Sequence, residues 1–391
     1  MAVGSILAPR ATHRRLTATM DVTYVLPIRC GASHEGHGEL FPYMARLAAF
    51  AEVILVDNSE PPVFAEHDAG LSPRIRHLPP DADQRTRNGK VGNVVTGIRA
   101  AANERVVIAD EDVRYEANTL RELAQRLEQA DVAVPSNVFE PAPWHARWDT
   151  ARTLLNRSFW IDYPGTIAVR RSRLLAAGGY DGDVLFENLE LLRTVDAGGG
   201  RVVTAPEIYV SRRPPPTRGF FTQRVRQAYD DLAQPWKLAT MLAIAPATRW
   251  ALKRRRWSVL AAGIAASLTL AEIGRRRAGG ARVYPWTASL WAPVWVAERA
   301  VCSWIAVTER LLLGGVRYHE MRFRRAATPL HELRALAGGA ARLTGSEPRR
   351  GANAQPHVTR RTPVWSWIDR IDRARPRLAA GRAPRRPRRP A

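Results

Sequence analysis

Three short runs of β-branched and aliphatic residues, each followed by polar residues, constrain the fold of this chain most. They are VTYVLPI (Val22–Ile28), VILV (53–56) and RVVIA (Arg105–Ala109). Runs of this kind predict strands buried on both faces of a parallel sheet, and the intervening segments 40–50 and 91–102 have apolar residues at helical spacing. A helix at 120–127 and strands at 132–134 and 201–204 continue the alternation. The sequence therefore predicts an α/β domain with a mostly parallel central sheet.

Acidic residues follow two of these strands. Asp57 comes after the second strand, and Asp110, Glu111 and Asp112 come after the third. Ligands of such sheets bind at the carboxyl ends of the strands, where Asp57 can accept a hydrogen bond from a nucleobase or a ribose hydroxyl. Asp110 and Asp112 face the same way in extended backbone, and their oxygens suit Mg²⁺ or Mn²⁺. A solvated acidic turn is the alternative interpretation.

A glycine-rich segment, RNGKVGN (87–93), leads into the predicted helix at 91–102. Gly89 and Gly92 leave room for a phosphate, and Lys90 can neutralise one. The spacing does not match a P-loop, and an isolated Gly-Lys pair is usually a turn. Together with the two acidic clusters, however, this segment predicts a nucleotide diphosphate as the ligand.

The runs LPIRC, VDNS, NGKVGN and DED, and the later GGYDGDVLFENLELL, resemble the family-2 glycosyltransferases, which have the GT-A fold. The resemblance covers residues 22–236. It implies metal-dependent transfer of a sugar from a nucleotide-sugar donor to an acceptor hydroxyl, with inversion at the anomeric carbon. In that family the acid after the second strand contacts the base, and the two carboxylates of the D-x-D sequence hold the ribose and the metal. The donor-binding residues predicted here are Pro27, Arg29, Asp57, Lys90, Asp110 and Asp112, of which Asp110 and Asp112 would bind Mg²⁺ or Mn²⁺.

At the catalytic base the chain departs from the family pattern. The family has a Glu-Asp pair in which the aspartate deprotonates the acceptor, and the matching pair here is Glu187-Asn188. An asparagine cannot accept a proton at neutral pH. We therefore expect Glu187 to be the base. Glu190, Asp183 and a loss of catalysis remain as alternatives.

A further element of the family, Q-x-x-R-W, has a near match in Gln223 to Gln227, with glutamine in place of tryptophan. In the family this element is typical of processive or lipid-acceptor members, which include ceramide glucosyltransferases and polysaccharide synthases. Arg226 would stabilise the departing diphosphate, and a solvated or lipid-facing arginine is the alternative.

The acceptor site is predicted in an aromatic-rich segment, residues 143–166. Aromatic rings stack on sugar faces or on lipid chains, although core packing is the alternative explanation for them. The predicted acceptor-binding residues are Trp144, His145, Asp162 and Gln223.

The net charge of +22 comes from 59 basic residues, of which only Lys90, Lys237 and Lys253 are lysines. Basic residues cluster at 212–213, 253–256, 275–277 and 349–389, and most of these clusters flank apolar or tryptophan-rich stretches. Seven of the twelve tryptophans lie between residues 236 and 304. Basic residues beside apolar ones favour an anionic membrane surface over nucleic acid. Two distant cysteines build no disulfide framework. We expect the cytoplasmic face of the cell membrane as the location and a lipid or lipid-linked glycan as the acceptor.

The predicted organisation is an N-terminal tail (1–21), a GT-A catalytic domain (22–236), a helical membrane-docking segment (237–323) and a basic, largely disordered tail (324–391). Residues 257–273 are barely long enough to span a bilayer, so a span, an interfacial helix and a buried helix of a second domain all remain possible. Two functions from other classes also remain: a non-catalytic GT-A-like nucleotide-sugar-binding protein, and an arginine-rich binder of nucleic acid or another anionic surface.

Overall fold

The computed structural model describes residues 20–30, 37–159, 162–318 and 320–343. The strands are β1 Val22–Ile28, β2 Glu52–Asp57, β3 Ile75–Leu78, β4 Arg105–Ala109, β5 Val113–Arg114, β6 Val132–Phe139, β7 Thr166–Arg170, β8 Val202–Arg212, β9 Val316–Tyr318 and β10 Met321–Phe323. The helices are α1 His37–Leu47, α2 Pro61–Gly70, α3 Gly89–Ala100, α4 Ala117–Gln125, α5 Trp144–Ser158, α6 Arg171–Ala176, α7 Glu187–Ala197, α8 Thr217–Thr222, α9 Arg224–Tyr229, α10 Pro235–Lys253, α11 Trp257–Arg276, α12 Trp286–Leu290, α13 Ala292–Leu312 and α14 Leu330–Leu343.

Eight strands form one sheet in the order β3-β2-β1-β4-β7-β6-β8-β5. Strands β3, β2, β1 and β4 are parallel neighbours, as are β6 and β8, while β7 lies antiparallel between β4 and β6. The predicted α/β class with a mostly parallel sheet is confirmed. Strands β1 and β4 have the predicted bounds, and β6 and β8 extend beyond theirs. The short strands β3 and β5 and the antiparallel β7 were not predicted.

Successive residues of the central strands point to opposite faces of the sheet, as the two-residue period of a strand requires. In β2, Val53 and Leu55 pack in one core cluster, which also contains residues of α1 and α4. Ile54 and Val56 pack in the other, together with residues of α3, α6 and α7. Because both faces are covered by helices, the central strands are largely apolar, and the domain has three layers.

Helices α11, α12 and α13 pack against α5 of the sheet domain. Their shared core includes Leu154 of α5, Ala271 of α11 and the fully buried Trp295 of α13. Ion pairs of the buried Arg224, on α9, join two of these elements: Arg224 bonds to Asp149 of α5 and to Glu298 of α13. These helices therefore form one packed body with the sheet domain, and the predicted boundary at residue 236 lies one residue inside α10.

Within the described part of the chain, one helical segment, Trp257–Arg282, is long and apolar enough to cross a membrane, judged by length and composition alone. Most of it is exposed, but Ser267, Ala271, Gly274 and Gly280 are buried. Helix α14, at the start of the predicted basic tail, packs against α7. Residues 344–391 and the N-terminal residues 1–19 lie outside the described parts, so the predictions for them stay predictions.

Candidate active site

The strand ends bring the predicted acidic residues to one edge of the sheet. Asp110 directly follows β4, and its backbone N–H donates to the carbonyl of Gly165, which precedes β7, at 2.8 Å. A Cβ on Gly165 would lie 2.5 Å from Oδ2 of Asp110, so only glycine permits this approach. The first carboxylate of the DED sequence is thus held between two strands at the mouth of a cleft.

This cleft has a volume of about 590 Å³. It is bordered by the ends of β1, β4 and β8, by the start of α7, by α9 and by the β9–β10 turn. The predicted site residues that line it are Pro27, Arg29, Lys90, Asp110, Asp112, Glu187, Gln223 and Arg226. The structure therefore brings most of the predicted donor and catalytic residues together.

Lys90 occupies the centre of an ion-pair network in the cleft. Its Nζ lies 2.5 Å from Oδ1 of Asp110 and 2.7 Å from Oε1 of Glu187. Burial lowers the pKa of Lys90, but the two carboxylates outweigh burial and raise the pKa well above its ordinary value. The lysine is therefore a permanent positive charge beside the DED sequence, as expected for a group that meets a phosphate.

Arg212, at the end of β8, is the second cation of the site. Its guanidinium lies 2.8 Å from Oδ2 of Asp112 and 3.4 Å from Oδ2 of Asp110. On sequence alone it belonged to a basic cluster associated with a membrane, and the structure corrects that interpretation because Arg212 lines the cleft. Its neighbour Arg213 forms an ion pair with Glu39 instead. The register of β8 beside β5 could not be read from the sequence.

The paired carboxylates fit a divalent cation on the Asp112 side. Oδ1 of Asp112 is buried and has no hydrogen-bond partner, whereas both oxygens of Asp110 face Lys90 or Arg212. Burial raises the pKa of Asp112, and the neighbouring Asp110 adds to this effect, although Arg212 lowers it. An unpartnered carboxylate oxygen in such a place is a ready metal ligand. The described residues contain no group of three or more metal-binding side chains, so a donor diphosphate would have to complete the coordination.

The glycines of the 87–93 segment have different roles. Gly89 lines the cleft, consistent with space for a phosphate. A Cβ on Gly92 would lie 2.0 Å from the carbonyl oxygen of Gln84, so Gly92 is needed for backbone packing and not for a ligand.

Asp57 lies in an adjoining cavity of about 660 Å³, which shares Asn58, Thr86, Gly89 and Asn93 with the cleft. Its carboxylate is buried and accepts hydrogen bonds from Nδ1 of His67 at 2.6 Å, from Nε2 of His77 at 3.3 Å and from the backbone N–H of Ser59 at 2.9 Å. The predicted contact between this carboxylate and a nucleobase therefore competes with bonds inside the protein.

The ionisation of this cluster follows from its contacts. Burial raises the pKa of Asp57, but the hydrogen bonds from His77, Ser59 and His67 outweigh it and hold the pKa at about 2. Nδ1 of His77 also lies 2.9 Å from Asp68, so both ring nitrogens of His77 face carboxylates. Such an imidazole is favoured in its protonated form.

The candidates for the catalytic base differ in their surroundings. Glu187 lines the cleft, but Lys90 holds its carboxylate. Asn188 donates to the carbonyl of Pro164 at 3.1 Å. Glu190 is fully buried and accepts from the backbone N–H of Thr328 at 2.6 Å, and Asp183 is exposed; neither lines the cleft. A carboxylate that the sequence did not indicate, Asp230, does line it.

Of the predicted acceptor residues, only Gln223 lines the cleft. Trp144 is 43% exposed and packs among Trp148, Phe220 and other rings outside it. His145 is buried, and its Nε2–H donates to the carbonyl of Pro215 at 3.0 Å, which is a packing role. Asp162 accepts from Asn156 at 3.3 Å near a separate, small cavity. Acceptor binding by these three residues stays a prediction, and their positions do not join them to the cleft.

The sequence model of Glycosyl transferase family 2 matches residues 47–180, about a third of the chain. Residues 47–180 are therefore similar to a family-2 glycosyltransferase domain. The match includes the 87–93 segment, the DED sequence and the cavity beside Asp57. The α/β sheet, with its site at the carboxyl ends of the strands and its helical C-terminal region, is a GT-A-like fold. No protein among the curated sequences matches the chain.

Three solved structures are similar to this chain. The mannosyltransferase PcManGT from Pyrobaculum calidifontis, in complex with GDP-Man and Mn2+, is 21% identical with a TM-score of 0.42, and the similarity covers 73% of this chain and 87% of that one. S. aureus TarS is 18% identical with a TM-score of 0.35, covering 52% and 38%. A mycobacterial protein is 14% identical with a TM-score of 0.36, covering 51% and 69%. Sequence identities and TM-scores as low as these do not identify the substrate of this chain.

Proposed function

We propose that this glycosyltransferase moves a sugar from a nucleotide diphosphate-sugar to an acceptor hydroxyl, with inversion and with the help of Mg²⁺ or Mn²⁺. The observation that carries the proposal is the cleft in which the carboxylates of Asp110 and Asp112 lie beside Lys90, Arg212 and Arg226. Paired carboxylates with adjacent cations suit a metal-bound diphosphate, because the protein can then stabilise the charge that develops on the leaving group.

The chemistry assigned to the chain's own residues is electrostatic. Lys90 and Arg212 balance the DED carboxylates and would turn toward the diphosphate when a metal occupies the carboxylates. Arg226 lies over the ring of Tyr318, 4.8 Å from its centre, and forms no ion pair with a described carboxylate, so its charge is available to the leaving group. Mg²⁺ or Mn²⁺, held by Asp112 and Asp110, would supply further positive charge to the departing diphosphate.

Transfer requires one bond exchange. The acceptor oxygen bonds to the anomeric carbon while the bond from that carbon to the diphosphate oxygen breaks, and the electron pair leaves with the nucleoside diphosphate. A carboxylate on the acceptor side takes the hydroxyl proton. Attack from the face opposite the leaving group inverts the anomeric carbon.

The test is transfer of labelled sugar from a panel of nucleotide sugars into a total lipid extract with Mn²⁺, using the wild type, Asp112→Asn and the control Glu122→Gln. Glu122 is exposed on α4 and does not line the cleft. We expect transfer by the wild type and the control, loss of about 100-fold in Asp112→Asn and loss on adding EDTA. Transfer that survives both EDTA and Asp112→Asn would refute the metal assignment, and failure with every donor would refute the transferase proposal.

We also propose that the protein docks on the cytoplasmic face of the cell membrane and that its acceptor is a lipid or a lipid-linked glycan. Support comes from exposed apolar side chains on α10 to α13 next to exposed arginines. Trp257 is 63% exposed and Trp286 is 65% exposed, and residues 253–256 are all basic and exposed. Tryptophan and arginine together favour the interface of an anionic bilayer.

Vesicle sedimentation tests this location. The protein should bind vesicles that contain phosphatidylglycerol more strongly than pure phosphatidylcholine vesicles, and Trp257→Ala together with Trp286→Ala should weaken binding to both. Carbonate washing should release a docked protein. Equal binding to both lipid compositions would contradict the electrostatic part of the proposal, and retention after carbonate would favour a span.

A second candidate is a protein that binds nucleotide sugars without turnover. Asn188 favours it, because the family's proton acceptor is missing there. This candidate predicts that a nucleotide sugar binds while no nucleoside diphosphate is released over hours. Release of nucleoside diphosphate that depends on an acceptor would exclude it.

A further inference from the structure

The carboxylates of the cleft differ in their partners. Asp110 and Glu187 are ion-paired with Lys90, Asp112 with Arg212, and Asp149 with Arg224. An ion-paired carboxylate is a poor proton acceptor, because protonation would leave a buried cation without its partner. The proton acceptor in this cleft should therefore be a carboxylate without such a partner.

Asp230 meets this condition. It follows α9 directly, at the start of the turn Asp230–Ala233, and it lines the cleft with Arg226 and Glu187. Among the described residues, its carboxylate has no ion pair and no hydrogen bond. The other two carboxylates that line the cleft, Glu111 and Glu320, are exposed.

The neighbouring Asp231 fixes the turn that carries Asp230. Its two oxygens accept from Arg299 at 2.7 and 3.0 Å, and Lys237 lies 3.2 Å away. All three side chains are buried. The ion pairs of Asp231 thus anchor the backbone of the turn, while the adjacent Asp230 remains partly exposed in the cleft.

The surroundings of Asp230 raise the pKa of its carboxyl group to near neutral pH. Burial raises its pKa to about 7, with Glu187 and Asp231 adding to the rise and Arg226 and Arg299 opposing it. A carboxylate of this kind takes up and releases a proton near neutral pH, which is the range in which a general base is most effective.

We propose that Asp230 is the general base of the transfer, in place of the missing aspartate at position 188; this inference rests on the proposed glycosyltransferase function. The acceptor O–H proton moves to a carboxylate oxygen of Asp230 as the acceptor oxygen bonds to the anomeric carbon. The bond from that carbon to the diphosphate breaks, and its electron pair leaves with the nucleoside diphosphate. Asp230 then releases the proton to solvent. Glu187 acts with Lys90 as a positioning pair.

The experiment measures acceptor-dependent transfer by the full chain between pH 5.5 and 8.5 for the wild type, Asp230→Asn, Asp230→Glu and Glu122→Gln. In the wild type, kcat should rise with pH with a midpoint near 7. Asp230→Asn should lower kcat by about 100-fold or more and abolish this rise, with donor affinity changed by less than about threefold. Asp230→Glu should recover part of kcat with a displaced midpoint, and Glu122→Gln should behave as the wild type.

Each result of this experiment either supports or refutes Asp230 as the general base. If Asp230→Asn keeps kcat within about threefold, or loses activity while Asp230→Glu keeps the wild-type midpoint, Asp230 is not the base. If Asp230→Asn does not fold, the pH profiles of the wild type and Asp230→Glu still test the assignment. Equal kcat midpoints in these two proteins refute Asp230 as the base, and a displaced midpoint in Asp230→Glu supports it. If the wild type transfers no sugar from any donor, the glycosyltransferase function itself fails.

Discussion

Replacing Gly274 with alanine tests whether α11 lies against the catalytic domain. Gly274 is buried where α11 crosses α5, and a Cβ at this position would lie 1.8 Å from the carbonyl oxygen of Leu154 and 3.0 Å from the backbone nitrogen of Ser158. Gly263 lies on the same helix, and a Cβ there would have no neighbouring atom within 4 Å, so Gly263→Ala is a matched control.

The magnitude follows from the obstructing atom. Ordinary contact begins at 3.4 Å, so the helix must move by about 1.6 Å to accept the methyl group. The obstacle is backbone, which cannot rotate away as a side chain can. Overpacking of this kind costs up to about 3 kcal/mol. Alanine favours a helix over glycine by about 1 kcal/mol, so the net loss in unfolding free energy should be about 2 kcal/mol for Gly274→Ala. The same preference should make Gly263→Ala more stable by up to about 1 kcal/mol.

Urea denaturation of the wild type and both variants, in the same detergent buffer, measures these differences. Equal unfolding free energies for Gly274→Ala and Gly263→Ala would refute the packing of α11 on α5. A helix that crosses a bilayer away from the domain would have no carbonyl of Leu154 beside Gly274, and both variants would then behave alike. The same comparison therefore bears on whether α11 spans the membrane or lies beside the catalytic layer.

Two further predictions concern buried charge. Arg299→Met should lower the unfolding free energy by about 3 kcal/mol, because it leaves Asp231 buried with Lys237 alone. Arg276→Met, at an exposed ion pair, should change it by less than about 0.5 kcal/mol in the same urea titration, and equal losses would contradict the reasoning. Burial lowers the pKa of His77, but the hydrogen bonds from its ring to two carboxylates outweigh burial and raise the pKa above 6.5. The stabilisation that the protonated His77 gives to the folded state is therefore complete below pH 6.5, and it is lost as the pH rises through the folded-state pKa. The stability difference between the wild type and His77→Gln should therefore be larger at pH 5.5 than at pH 9, and an equal difference would refute this.

Local patterns predicted the strands that build the parallel half of the sheet. Val22–Ile28 and Arg105–Ala109 are largely apolar because both of their faces are buried, and this property can be read from a short window. Asp57, at the end of β2, and Asp110 and Asp112, after β4, had to lie at one edge once these strands were parallel. The antiparallel β7 could not be predicted, since its place between β4 and β6 depends on pairing over long sequence distances.

The site residues also divide into those that local sequence patterns locate and those that depend on tertiary packing. Residues that follow strands directly, such as Asp110 and Asp112, were located by strand direction alone. Arg212 was not, because a basic dipeptide at a strand end looks the same whether it faces solvent, lipid or two carboxylates. The environment of Asp57 was also hidden, because His67 and His77 reach it from α2 and β3. Which side chains contact Arg212 or Asp57 depends on tertiary packing, and the sequence pattern does not reveal it.

The asparagine at position 188 is understandable in terms of charge. Lys90 is already paired with Asp110 and Glu187, so an aspartate at 188 would add another carboxylate to the cleft without a cation of its own. Asn188 instead donates to the carbonyl of Pro164 and joins α7 to the segment before β7. A structural bond at this position removes the usual proton acceptor without adding charge. The proton must then go to a carboxylate outside the Lys90 network, and within the described cleft Asp230 combines partial burial with the absence of an ion pair.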